Sequence, residues 1–156
     1  MATNLKTQLR ADLSAAIKSR STLTVATLRM ALAAITNEEV AGPKARELSD
    51  DEVLVVLARE AKKRREAAEL FAEAGRDELA SRERAEGEVL ATYLPSQLTD
   101  DELATVVAAA IDEIAGQVGQ TPGLGQLGLV MKAAKAKAAG RAEGSRLAAA
   151  VMAVLT

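Results

Sequence analysis

Apolar residues recur at steps of three and four along almost the whole chain. Leu5, Leu9, Leu13 and Ile17 step by four and share one face, and Val25, Leu28, Leu32 and Ile35 form one stripe of a second helix. Leu54, Leu57, Ala61, Ala68 and Phe71 follow the same rule, with Arg64 interrupting it. Leu103, Val106, Val107, Ala110, Ile111, Ile114 and Val118 make the broadest stripe. Leu127, Val130, Met131 and Ala134 mark another helix, and Leu147, Val151, Val154 and Leu155 the last. Abundant alanine raises helix propensity further, because it loses no side-chain entropy on helix formation. Alternating β-branched patterns are absent, so the pattern predicts an all-α protein.

Two helix starts share one form. Leu48-Ser49-Asp50-Asp51-Glu52-Val53 and Leu98-Thr99-Asp100-Asp101-Glu102-Leu103 each offer a hydroxyl for the backbone N–H three residues on. Each also offers a glutamate that reaches back, and a leucine that can staple to the first apolar helical residue. The acidic side chains suit the positive helix ends, and no EF-hand spacing follows them, so they read as caps and not as metal ligands. Pro95, within Tyr93-Leu94-Pro95-Ser96-Gln97-Leu98, should end the preceding helix by Leu94. Thr121 and Pro122 suit the cap and first position of a later helix, and 140–144 reads as a turn. The expected architecture is two small helical subdomains: residues 1–94 with about four helices, and 98–156 with about three.

Composition narrows the chemistry. In 156 residues, 20 basic against 22 acidic side chains leave a net charge of −2, which excludes a uniformly basic nucleic-acid coat. Cysteine and histidine are both absent, so thiolate nucleophiles, His/Cys zinc sites and histidine triads are excluded. Phe71 and Tyr93 are the only aromatic residues, too few to stack a row of bases. No run reaches the roughly 18 apolar residues of a membrane span. Met1–Arg10 lacks a signal-peptide pattern, and a cytoplasmic protein without membrane partners is the expectation.

Candidate chemistry follows charge. Residues 49–94 hold 8 basic and 12 acidic side chains, whereas from Leu129 onward five basic residues face Glu143 alone, the clearly lopsided stretch of this reading. Those five, Lys132, Lys135, Lys137, Arg141 and Arg146, are the candidate nucleic-acid-binding residues. At ~100° per residue, Lys132 and Lys135 fall on one side of the apolar stripe and Lys137 on the other rim. Arg141 falls in the following turn and Arg146 early in the last helix. Arg59, Lys62, Lys63, Arg64 and Arg65 are denser, but Glu60, Glu66 and Glu69 lie at compensating helical spacing, and the run reads first as a solvated face. Glu38, Glu39, Glu83, Glu86 and Glu88 lack a partner base or phosphate cradle, so no catalytic residue, metal or cofactor is expected. Glu83 and Glu86 can instead face Arg59, Lys62 or Arg64 across a polar seam.

Several spaced motifs resemble the GatB/YqeY family. They are Leu28-Arg29-Met30 with Ala34-Ile35 and Asn37-Glu38-Glu39, then Glu47-Leu48-Ser49-Asp50-Asp51-Glu52-Val53, then Phe71-Ala72-Glu73-Ala74-Gly75-Arg76-Asp77-Glu78-Leu79. The Tyr93-to-Leu98 linker, Gly128-Leu129-Val130-Met131-Lys132 and Gly140-Arg141-Ala142-Glu143-Gly144 complete the match. The resemblance is to a stand-alone YqeY-like protein and to the helical tail of the B subunit of the glutamine-dependent aspartyl/glutamyl-tRNA amidotransferase. It implies a module that binds tRNA or a tRNA-handling complex, with no DNA partner. Its alternatives are an accessory role in carbon–nitrogen ligase activity with glutamine as amido-N-donor, or a protein–protein adaptor using residues 49–74. The domain that phosphorylates the tRNA-linked carboxylate and the amidase partner have no counterpart in these residues. Two departures stand out: Leu129, where relatives often carry a basic residue, and the alanine-rich stretch from Ala133 to Ala139.

Overall fold

The structure, a computed structural model, describes residues 4–156. The first three residues of the Met1–Arg10 stretch therefore lie outside the described residues. Seven α-helices and no strand occur among those described: α1 (Leu5–Lys18), α2 (Thr22–Glu39), α3 (Asp50–Glu73), α4 (Asp77–Ala91), α5 (Asp100–Val118), α6 (Leu127–Ala138) and α7 (Gly144–Leu155). The all-α expectation holds. The chain separates into two compact units, the first running to Leu94 and the second from Pro95 to Thr156.

In the first unit, α3 and α4 form an antiparallel-type helical hairpin by extensive mutual packing, α2 lies against both, and α1 lies on α2 and α3. Leu9, Leu28, Ala31, Ile35, Val53, Val56, Leu57 and Leu90 are its buried core. On α3 the buried set is Val53, Val56, Leu57, Glu60 and Ala68, while Leu54 and Phe71 are only half-buried. The inward face is thus rotated from the expected stripe, because α4, α2 and α1 all press on α3 and broaden its contact. Ile17 is a second departure: it continues the α1 stripe but is 48% exposed, one residue before α1 ends. Tyr93 closes the unit by donating its hydroxyl to Asp12 Oδ2 at 2.5 Å. Burial, reinforced by that carboxylate, pushes its phenol well above the ordinary range.

The second unit packs α5 against α6 and α7. Its core is wholly apolar: Leu98, Leu103, Val107, Ala110, Ile114, Val130, Ala134, Ala138, Leu147 and Val151. Val154, expected on the buried stripe of α7, is 60% exposed in the last turn. Both expected capping boxes are present. Ser49 Oγ accepts the Glu52 N–H at 3.2 Å while Ser49 N–H donates to Glu52 at 3.2 Å. Thr99 and Glu102 repeat the exchange at 3.1 and 3.0 Å. Leu98 and Leu103 share one core, as a staple requires.

The start of α6 departs from expectation. Thr121 and Pro122 do not open it; a single 3-10 turn over 124–126 precedes a helix that begins at Leu127. Gly123, Gly125 and Gly128 each weaken helix propensity there, and the Gln126 side chain instead accepts the Gly123 N–H at 2.8 Å. Pro122 is buried beside this turn.

Candidate nucleic-acid interface

The five C-terminal cations all lie in the second unit, but their surroundings differ. Arg141 stands in the turn between α6 and α7, where its Nε donates to the Ser96 carbonyl at 2.8 Å. Its Nη2 lies 3.7 Å from Glu102 Oε2. The Arg141 carbonyl in turn accepts the Leu98 N–H at 2.7 Å. Arg146, in the first turn of α7, donates to the Leu98 carbonyl at 2.7 Å and to Asp100 Oδ1 at 2.7 Å. The two guanidinium groups therefore fasten the segment leading into α5 onto the α6–α7 turn. Their planar forks suit this work, binding a carbonyl and a carboxylate at once. A hydrogen bond to the Thr99 N–H, with Arg141 adding a smaller attraction, holds the Glu102 carboxyl below its usual range.

Lys137 reaches across to α5, where its Nζ sits 3.4 Å from Glu113 Oε2. Lys132 and Lys135 are exposed, one turn apart on the outer side of α6, and make no ion pair among the described residues. The buried stripe Val130–Ala134–Ala138 points the other way and anchors the helix, so these ammonium groups stand on a fixed platform. Leu129 lies exposed nearby at 48%, where a basic residue would have extended the cationic face.

The denser run on α3 is a different object. Arg59 pairs with Glu38 at 3.5 Å, Lys62 with Glu66 at 4.0 Å and Lys63 with Glu60 at 3.1 Å. Arg64 turns inward, as the polar seam predicted, and lies 3.6 Å from Glu60, 3.5 Å from Glu83 and 3.7 Å from Glu86. Arg82 gives Glu86 a second cation at 3.4 Å. Three largely buried carboxylates and three cations thus balance between α3 and α4. Glu39, also considered as an acid–base candidate, is buried against Lys6 at 2.6 Å. That hydrogen bond outweighs burial and lowers its carboxyl below the ordinary range.

Among the described residues no group of three or more acidic side chains is placed to hold a metal ion, and no helix is long and apolar enough to cross a membrane. On α3 the strongly exposed large apolar residues are Val55 and Leu70, about 22 Å apart along the axis, so the helix presents no continuous apolar stripe.

Two features of this surface escaped sequence reasoning. The backbone carbonyls that Arg141 and Arg146 hold lie more than forty residues away in the chain, and no local spacing announces them. The second is an acid-free stretch, Leu13 to Asn37, which carries Lys18, Arg20 and Arg29. The C-terminal end is therefore not the only lopsided one, and a running charge count would have found the other.

The family model described as Yqey-like protein matches residues 6–155. No curated protein matches the chain. The chain belongs to the YqeY-like family.

Proposed function

We propose that this YqeY-like protein binds tRNA, or a complex that handles tRNA, through the outer face of α6 and without chemistry of its own. One observation carries the reading: Lys132 and Lys135 are adjacent, exposed cations with no ion pair among the described residues, on a helix whose opposite face is locked into an apolar core. A phosphate backbone is recognised by such groups, because each neutralised phosphate releases condensed counterions. The resemblance to a tRNA-holding tail supports the same partner. Arg141 and Arg146 support the platform first. Their side chains remain about one-third exposed, so outward N–H groups can add to the contact. Lys137 lies on the opposite rim and borders the site.

Two main phosphate contacts imply modest affinity and a log–log salt slope near −2. Filter binding of bulk tRNA to the intact protein between 50 and 200 mM salt tests this, at roughly the range where such slopes are read. Affinity that falls with salt is the expected result. Absence of salt-sensitive tRNA binding overturns the proposal. Incubation with glutamine is expected to release no ammonia above a heat-killed control, since the chain offers neither cysteine nor histidine for that step.

A further inference from the structure

At the corner where α1 gives way to α2, the surface opens into a hollow of about 510 Å³ lined by Ile17, Arg20, Thr22, Val25, Ala26 and Arg29. Its floor is apolar, and Ile17 remains 48% exposed there. Its rim is cationic. Arg20 and Arg29 are exposed and form no ion pair among the described residues, and the nearest stretch of chain, Leu13 to Asn37, contains no carboxylate.

Arg20 also occupies a backbone position that opposes it. The Ser21 N–H bonds the Ala16 carbonyl at 3.0 Å and the Arg20 N–H bonds the Ile17 carbonyl at 3.2 Å, which is the glycine-type helix ending. At the glycine position of that motif Arg20 has φ 58°, whereas the end of α5 uses Gly119 at φ 76°. A side chain costs stability in this left-handed conformation, yet the chain carries a long cationic one here.

We propose that this corner docks an acidic, apolar-anchored segment of a partner protein, a site separate from the α6 face. Apolar side chains of the segment would cover Ile17, Val25 and Ala26, while its carboxylates meet the Arg20 and Arg29 guanidinium groups. Guanidinium binds carboxylate and phosphate equally well in geometry. The floor decides between them, because a phosphate backbone has nothing to place on exposed Ile17 and half-buried Val25, whereas an amphipathic segment does.

The test replaces Ala26 of the full-length protein with a photo-reactive benzophenone residue, irradiates in cells, and sequences whatever is attached by mass spectrometry. The expected adduct is a protein segment with Asp or Glu flanking apolar residues. It should fall at least tenfold in both the Arg20→Gly and Arg29→Glu backgrounds and persist in Lys132→Glu/Lys135→Glu. Arg20→Gly should meanwhile raise the thermal midpoint by roughly 2–5 °C, so that lost docking cannot be lost folding. An adduct to RNA, to a basic or neutral segment, or one indifferent to both arginine changes overturns the proposal, as does no adduct. tRNA binding that survives Arg20→Gly and Arg29→Glu keeps the two sites distinct.

Discussion

The basic run of α3 and the lysine pair of α6 carry similar side chains into opposite surroundings. On α3, every arginine or lysine from Arg59 to Arg64 has a carboxylate within 4.0 Å, drawn from α2, from α4 or from its own helix. On α6, Lys132 and Lys135 have none among the described residues. The denser cluster is therefore the weaker cationic surface. What a phosphate encounters is the residual field after neighbouring charges are counted, and a tally of basic residues along the sequence does not give it.

The largest effect should come from breaking the α3 side of this contrast. Arg64 is mostly buried and faces Glu60, Glu83 and Glu86. Arg64→Met removes the cation those carboxylates share and should cost about 2–4 kcal/mol in urea unfolding, reduced from the fully buried case by the residual exposure. Lys62→Ala, on the solvent side of the same helix, should stay within about 0.5 kcal/mol. Equal effects would mean that the seam is not what holds the α3–α4 hairpin.

Within the second unit, the arginines can be separated from the lysines. Arg141→Ala and Arg146→Ala should each cost about 1–2 kcal/mol, because each abandons a bond to a backbone carbonyl as well as a carboxylate. Lys132→Ala and Lys135→Ala should leave the unfolding midpoint unchanged. A next smaller effect concerns the caps that both units share. Ser49→Ala and Thr99→Ala should each lower stability by about 1 kcal/mol, read by the same denaturation.

The smallest expected effect is the acid limb. Hydrogen bonds from Arg46 at 3.0 and 2.5 Å, then from the Ser49 N–H, depress the Glu52 carboxyl to about 2. A depressed carboxylate contributes its stability fully above its unfolded-state value, near 4.3, and loses it as pH falls toward 2. Glu39 and Glu102 shift in the same direction. Stability should thus decline on acidification through that window, and Glu52→Gln should flatten the decline. An unchanged acid limb in the variant would remove Glu52 from the account.

Much of the fold is readable from local chemistry. The helices that the stripes mark, the Ser49 and Thr99 boxes and the turn at 140–144 all depend on residues close in sequence, and each is found, although the buried face of α3 is rotated and Ile17 and Val154 are exposed. The start of α6 is misread for a physical reason: Thr121 and Pro122 carry start chemistry, but three nearby glycines and a Gln126 side-chain bond favour a 3-10 turn. The candidate interface is less legible. Positions of Lys132 and Lys135 follow from periodicity. The engagement of Arg141 with Ser96, and of Arg146 with Leu98 and Asp100, depends on a chain return of some 45 residues that no window of sequence contains.

One comparison tests the central claim most directly: the salt dependence of tRNA binding in Lys132→Glu/Lys135→Glu beside Lys62→Glu/Lys63→Glu. Loss of the α6 pair should weaken binding and reduce the magnitude of the log–log slope by about two units, one for each phosphate contact, with the unfolding midpoint preserved. The α3 pair, whose charges already face Glu66 and Glu60, should change the slope by less. A larger loss from the α3 variant, or an unaltered slope in the α6 variant, would contradict the account.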